Sequence, residues 1–288
     1  MIDLVNKVRA FSSSVMDKVE LLHIDSDCLN SVAEAIKTNE AIVSAAPKPD
    51  IKYSIRDHFL FELIAGSINY CYWYGGSKLR PCGSSSSLMY KLLQETREQH
   101  GACMISEAFI ESFYMKLTMN RFPLLTERLR HLEELHKYKH HVEILLNILE
   151  NDHIEAGYPL QYLATTIPGF GEDIFLKRAQ LFLMQIHHNV KHIKNIDMLT
   201  VPADYQVPKM LRHFGCLKYS AWLSAKVDTE EVILKHSKEE VEIRAATIVT
   251  CDMISQIAGV NICDIDAFLW GARNQCEDNF HLTVTTDY

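Results

Sequence analysis

Glycine and proline are scarce in this chain, 11 and 8 of 288 residues, and alternating Val–Thr stretches are few. A sandwich or barrel needs turn residues roughly every 8–12 positions, so this scarcity favours helices. C-x-x-C pairs are absent. The eight cysteines (28, 71, 82, 103, 216, 251, 263 and 276) are scattered, which fits reduced thiols in an intracellular protein better than a disulfide framework or a zinc site. Basic excess is lacking too: the net charge of −8 argues against a general binder of nucleic-acid polymers, which needs a basic footprint. It leaves small nucleotides untouched. No apolar run reaches eighteen residues, and the opening MIDLVNKVRAFSSS has no signal-peptide core, so a cytoplasmic protein without a membrane partner is expected.

Several motifs stop short of a known chemistry. GGSKLRPCGSSSS (75–87) carries Lys78 and Arg80 but lacks the G-x-x-x-x-G-K-[ST] order of a phosphate loop. GFG at 169–171 is too short for a dinucleotide fingerprint. His136 with His140, and His188 with His192, are spaced four apart but lack the glutamate of H-E-x-x-H. No metal and no cofactor is expected from them.

What is present is helical periodicity. Ile2, Val5, Val8 and Phe11 repeat at helical spacing, VELLHI (19–24) is a short extended candidate, and Asp25 to Asp27 can cap a helix through Ile36. Helices are predicted over 87–99 with Ser87 as cap, and over 106–119 capped by Ser106. One continuous helix is predicted from 122 through the HKYKHHVEILLNILEN run, then others over 209–218 and, as a buried helix, over 239–259. Glu240 and Arg244 form an i,i+4 pair, worth about 0.2–0.5 kcal/mol on a surface. In the last helix Asp266 and Trp270 share a face. The aromatic cluster Asn69-Tyr70-Cys71-Tyr72-Trp73 suits either a core or a stacking wall for a flat base.

The stretch around 175–220 holds the candidate chemistry. Asp204 sits on a turn bracketed by Pro202 and Pro208, where proline restricts the backbone; Lys177 opens an apolar helical run. The run Ala203-Asp204-Tyr205-x-x-Pro208 with Leu211, His213, Gly215 and Leu217-Lys218-Tyr219-Ser220 resembles the signature of the queuosine salvage family. Phe175-x-Lys177-Arg178-Ala179-Gln180, Glu240-Val241-Glu242-Ile243-Arg244 and Asp266-x-Phe268-Leu269-Trp270 resemble its other motifs, in the same order.

The resemblance implies an all-α fold, mainly helical and similar to the helix-hairpin-helix DNA glycosylases, with room for a short β element. It also implies one domain over 1–288 and hydrolysis of the small-molecule nucleotide queuosine 5′-phosphate to queuine and ribose 5-phosphate. Asp204 and Lys177 would then be catalytic: Asp204 facing the anomeric carbon, Lys177 bonding Asp204 or a sugar oxygen. Asp266 would read the base or its side-arm amine, and Tyr72, Trp73 and Trp270 would supply apolar surface. The sequence departs from the family at Ser84 to Ser86, where aromatics are usual, and at Leu282 and Val284, where arginines are usual. Two other readings therefore stay open: a nucleosidase for queuosine or another 7-deazaguanine nucleoside, and a non-catalytic helical nucleobase binder.

Overall fold

The computed structural model describes residues 3–38, 50–79, 83–101 and 104–288. Ile2, Arg80, Cys82 and Cys103 lie outside them. Among the described residues thirteen α-helices and one two-stranded sheet form, so the molecule is all-α with a minor β element. In chain order the helices are α1 (Leu4–Met16), α2 (Ser26–Lys37), α3 (Ile55–Ser67), α4 (Ser86–His100), α5 (Glu107–Met119), α6 (Leu125–Lys137) and α7 (Lys139–Glu150). There follow α8 (Gly157–Thr166), α9 (Lys177–Asn189), α10 (Gln206–His213), α11 (Ala221–Asp228), α12 (Lys238–Ala258) and α13 (Ile262–Ala272). The strands are β1 (Leu22–Ile24) and β2 (Leu217–Tyr219). No single helix among the described residues is long and apolar enough to cross a membrane, and the six described cysteines are free thiols.

The chain divides into two compact units, Met1–Ala45 with Ile196–Thr285, and Ala46–Asn195 with Thr286–Tyr288. In the first unit α12, about 30 Å long at 1.5 Å per residue, is the central rod against which α1 and α2 pack. Ser237 caps it by accepting from the Glu240 amide, and Gly259 closes it in the left-handed region. The VELLHI run becomes β1, paired antiparallel with β2 so that Leu22 faces Tyr219 and Ile24 faces Leu217.

The helix predicted over 209–218 is shorter and earlier than expected. After α10 the Gly215 amide donates to Arg212 O (3.0 Å) and the Cys216 amide to Leu211 O (2.8 Å), with Gly215 at φ +80°. That is the Schellman pattern, which ends a helix at a glycine, and it turns residues 217–219 into β2.

In the second unit α3 is the buried centre: every residue from Phe59 to Ser67 is buried, and α4, α6, α7 and α9 pack around it. A capping box between Ser54 and Asp57 starts it. The single helix expected from 122 onward is broken at Tyr138 (φ −96°, ψ 22°) into α6 and α7. His136 and His140 therefore lie on different helices; His136 Nδ1 instead bonds Ile105 O at 2.8 Å. The cap of α4 is Ser85, not Ser87. Gly171 of the GFG run has a packing reason: a Cβ there would overlap the Ala164 carbonyl oxygen.

Glu240 and Arg244 are fully buried, not a surface pair. Arg244 Nη1 meets Glu240 Oε1 at 3.1 Å, Arg244 Nε donates to Ala203 O at 2.8 Å, and Glu240 Oε2 accepts from the His236 amide at 3.1 Å. Breaking such a buried pair by removing one member costs about 3–5 kcal/mol. Glu240→Ala is expected to lose that much in urea unfolding monitored by circular dichroism; a loss below about 1 kcal/mol would mean that the pair contributes little to the stability of the unit.

Candidate active-site residues

In the second unit the chain leaves α3 at Ser67 and runs through Ile68, Asn69, Tyr70 and Cys71 to the aromatic pair Tyr72–Trp73. The last carbonyls of a helix have no partner within it, and burial makes an unmet acceptor costly. Here three cations meet them. Arg178 Nη1 donates to Ser67 O (2.5 Å), Arg128 Nη1 to Ile68 O, and Lys177 Nζ to Asn69 O (3.1 Å). Arg128 Nη2 bonds both Tyr70 O (2.5 Å) and Cys71 O (2.9 Å). Five successive carbonyls are thus held by positive side chains. The Cys71 amide, at φ 39°, donates to Tyr288 O at 2.9 Å.

The cations are themselves positioned. The Asp173 carboxylate accepts from the Phe175 amide (3.1 Å) and the Lys177 amide (2.8 Å), fixing the start of α9. Leu176, which precedes that helix, and Leu124, which precedes α6, both take the left-handed conformation at φ 53°, a costly choice for leucine. Arg128 Nε donates to Pro123 O (2.7 Å), and its guanidinium lies 4.6 Å from the Tyr70 ring centroid. Tyr70 Oη and His131 Nδ1 are 3.1 Å apart. Burial pushes the Tyr70 hydroxyl up to about 12. Burial, then Arg178, Arg130 and Arg128, bring His131 down to about 2, so it is neutral.

Tyr72 and Trp73 are buried in this structure. Tyr72 Oη donates to Asn69 Oδ1 at 3.0 Å, and its ring meets Phe122 edge-on at 6.1 Å. Lys177, Tyr72 and Trp73 therefore converge on one short segment, Asn69 being bonded by both Lys177 and Tyr72. The serines where relatives are expected to carry aromatics have structural work: Ser84 Oγ donates to Tyr72 O (2.7 Å), and Ser85 caps α4.

In the first unit Asp204 stands just before α10. Its own amide donates to Pro202 O at 2.7 Å, a three-residue turn. Its Oδ1 accepts from the Gln206 amide (2.7 Å) and the Val207 amide (3.0 Å). Oδ2 makes no hydrogen bond among the described residues, and the side chain is half-buried. Arg244 holds the preceding carbonyl, Ala203 O, and Tyr205 stacks on Phe280 at 4.4 Å. One oxygen anchored to backbone and the other available is a fixed, oriented carboxylate. Such a group can stabilise a growing positive charge, attack it, or take a proton from water.

Asp266 and Trp270 both lie on α13, which packs against α10. Asp266 is half-buried; Trp270 is 38% exposed, with the Arg273 guanidinium 3.2 Å from its ring centroid. Leu282, in the tail where arginines are usual, is buried and accepts the Ile233 amide at 2.8 Å, whereas Val284 is exposed. Sequence reasoning did not single out Arg128, His131 or Asp173, nor the clamp made by Arg178. Arg178 lies inside a motif already noted, and Arg128 begins an acidic, Arg-bearing helix, but nothing in the spacing says that either is buried.

A family model described as queuosine salvage protein matches residues 51–287. Among curated relatives, the queuosine 5′-phosphate N-glycosylase/hydrolase of Schizosaccharomyces pombe is 28% identical over 183 residues, 57% of this chain and 53% of that one. The protein of the same name from Sphaerobacter thermophilus is 24% identical over 262 residues, 81% of this chain and 80% of that one. The one from Mus musculus is 29% identical over 147 residues, 46% and 44%. The matched stretch thus spans about half the length of the yeast and mouse relatives. A crystal structure of Methanocaldococcus jannaschii 8-oxoguanine DNA glycosylase is similar with a TM-score of 0.43 at 13% identity, covering 95% of this chain and 94% of that one.

Neutral buried histidine gives a pH signature. The native pKa of His131 lies below its unfolded value of about 6.5, so the unfolded chain binds more protons below that pH. The contribution is complete above about 6.5 and lost as pH falls, at about 1.4 kcal/mol per pH unit. Urea unfolding between pH 6.5 and 4.5 should therefore show a shallower decline for His131→Gln by about that slope. Equal slopes would mean that native His131 carries a proton.

Proposed function

The chain belongs to the queuosine salvage protein family, and we propose that it hydrolyses the N-glycosidic bond of queuosine 5′-phosphate, releasing queuine for salvage into tRNA. The observation that carries this reading within the molecule is the Asp204 carboxylate, anchored through Oδ1 by two backbone amides and with Oδ2 available. Glycosidic cleavage passes through an oxocarbenium-like state: the C–N bond electrons move into the base, positive charge grows on the ribose, and water supplies the new C–O bond. A fixed anion costs no reorganisation when that charge appears.

Lys177 is assigned to a sugar oxygen, the position of its ammonium being set by Asn69 O. Asp266 is assigned to the base or to its side-arm amine, and Tyr72, Trp73 and Trp270 to apolar and stacking surface. The family match runs through most of the chain, which supports a single functional domain over 1–288. The acidic net charge supports a small nucleotide over a nucleic-acid polymer, and the lack of a spanning helix among the described residues supports a cytoplasmic protein with no membrane partner.

The tail favours a second reading. Leu282 is built into the core, where it accepts the Ile233 amide, and Val284 is exposed; neither side chain offers a phosphate a donor or a charge. The alternative is a nucleosidase acting on queuosine or another 7-deazaguanine nucleoside.

Incubation with queuosine 5′-phosphate and with queuosine, followed by mass spectrometry of free queuine, separates the two. Release mainly from the phosphate is expected; release mainly from the nucleoside selects the alternative, and none from either leaves a binder. Asp204→Asn keeps an oxygen for the Gln206 and Val207 amides, so folding should persist while turnover drops on the order of 10³-fold. Unchanged turnover would remove Asp204 from the chemistry.

A further inference from the structure

At the far end of α10 from Asp204, three different ligand types meet on the surface of the first unit. One ring nitrogen of His213, the Cys276 thiol sulfur and a carboxylate oxygen of Asp278 all lie within 4.8 Å of one another. His213 Nδ1 and Asp278 Oδ2 are 2.9 Å apart. His213 and Asp278 are open to solvent, while Cys276 is buried beneath them. Metal bonds of about 2.0 Å to nitrogen and oxygen and 2.3 Å to sulfur place tetrahedral ligands roughly 3–4 Å apart, so only small side-chain rotations separate this cluster from a closed site.

The backbone that carries the three ligands is fixed by contacts that use none of them. His213 is the last residue of α10, where the helix dipole favours positive charge. Lys209 Nζ donates to Cys276 O at 2.7 Å. Asn279 Nδ2 donates to Asp228 O at 3.1 Å, and Phe280 stacks on Tyr205. Arg212, on the same helix, is engaged by Asp228 through two bonds of 2.8 and 2.9 Å, so its charge is largely met.

We propose that His213, Cys276 and Asp278 bind a zinc-class divalent ion, with solvent completing the coordination. Nitrogen, sulfur and carboxylate oxygen together suit zinc or cobalt over magnesium or calcium. On binding, the Cys276 S–H bond breaks, its proton leaves to solvent, and a metal–thiolate bond forms with no change of oxidation state. The ion would tie the end of α10 to the 276–280 segment, a structural role separate from hydrolysis.

Cobalt(II) reports this directly. The full chain, stripped with chelator and kept reduced, is titrated with Co²⁺ and read in the near-ultraviolet and visible. One equivalent should produce a thiolate-to-cobalt charge-transfer band, bleached by one equivalent of Zn²⁺. Cys276→Ser should abolish the band. Asp278→Asn, at an exposed position, should keep the fold by circular dichroism and weaken Co²⁺ binding more than about tenfold, since even outer partners of a ligand are worth 10–100-fold. Absence of the band in the unaltered protein, its persistence in Cys276→Ser, or unchanged affinity in Asp278→Asn would each overturn the proposal. None of these readouts depends on hydrolytic activity.

Discussion

The second unit depends on a row of five carbonyls, from Ser67 to Cys71, and on the three cations that satisfy them. Where α3 ends, the chain continues in the interior without a helix to supply partners. Each acceptor left unmet in the buried part of this segment would cost about 1–3 kcal/mol. Arg128, Lys177 and Arg178 fill the gap with charge-assisted bonds, the stronger class. Positive charge at the end of a helix is also favoured by its dipole. The expense is desolvation of the guanidinium groups, visible in the burial-lowered pKa of Arg178. Carbonyl oxygens and aromatic faces, rather than a buried carboxylate, provide most of the compensation for Arg128.

Helices, the Ser106 cap and the small β element were legible in the sequence because they follow from local pattern. Ser106, Asp25 and the 239–259 run behave as periodicity and capping rules require. The failures share one cause, the dominance of tertiary context. Apolar positions at helical spacing run from Leu125, Leu129, Leu132 and Leu135 on to Val142, Leu145 and Leu149, so nothing in the period marks the break between α6 and α7. Residues 214–219 could extend α10 by pattern; the Schellman turn at Gly215 and the pairing with β1 decide otherwise. The burial of the 239–259 helix was legible, by contrast, and Glu240 and Arg244 are buried with it.

Candidate residues divide in the same way. Asp204 was found because proline brackets it, and its anchoring follows directly from its position ahead of α10. Lys177 was found through its motif, whereas the reason for its placement, the Asp173 carboxylate holding the first amides of α9, lies four residues upstream in a stretch without periodicity. Asp266 and Trp270 share a helix as their spacing requires, but the Arg273 guanidinium covering one face of the indole was not foreseeable from the pair itself.

The bond from Ser84 Oγ to Tyr72 O couples two positions through history as well as through space. An aromatic residue at 84 would remove the hydroxyl and leave the Tyr72 carbonyl, inside a buried segment, without that donor. A lineage that exchanges serine for an aromatic here gives up that bond. The 84–86 loop and the Tyr72–Trp73 segment are therefore expected to evolve as a block. A loop transplanted alone from a relative would arrive without its counterpart.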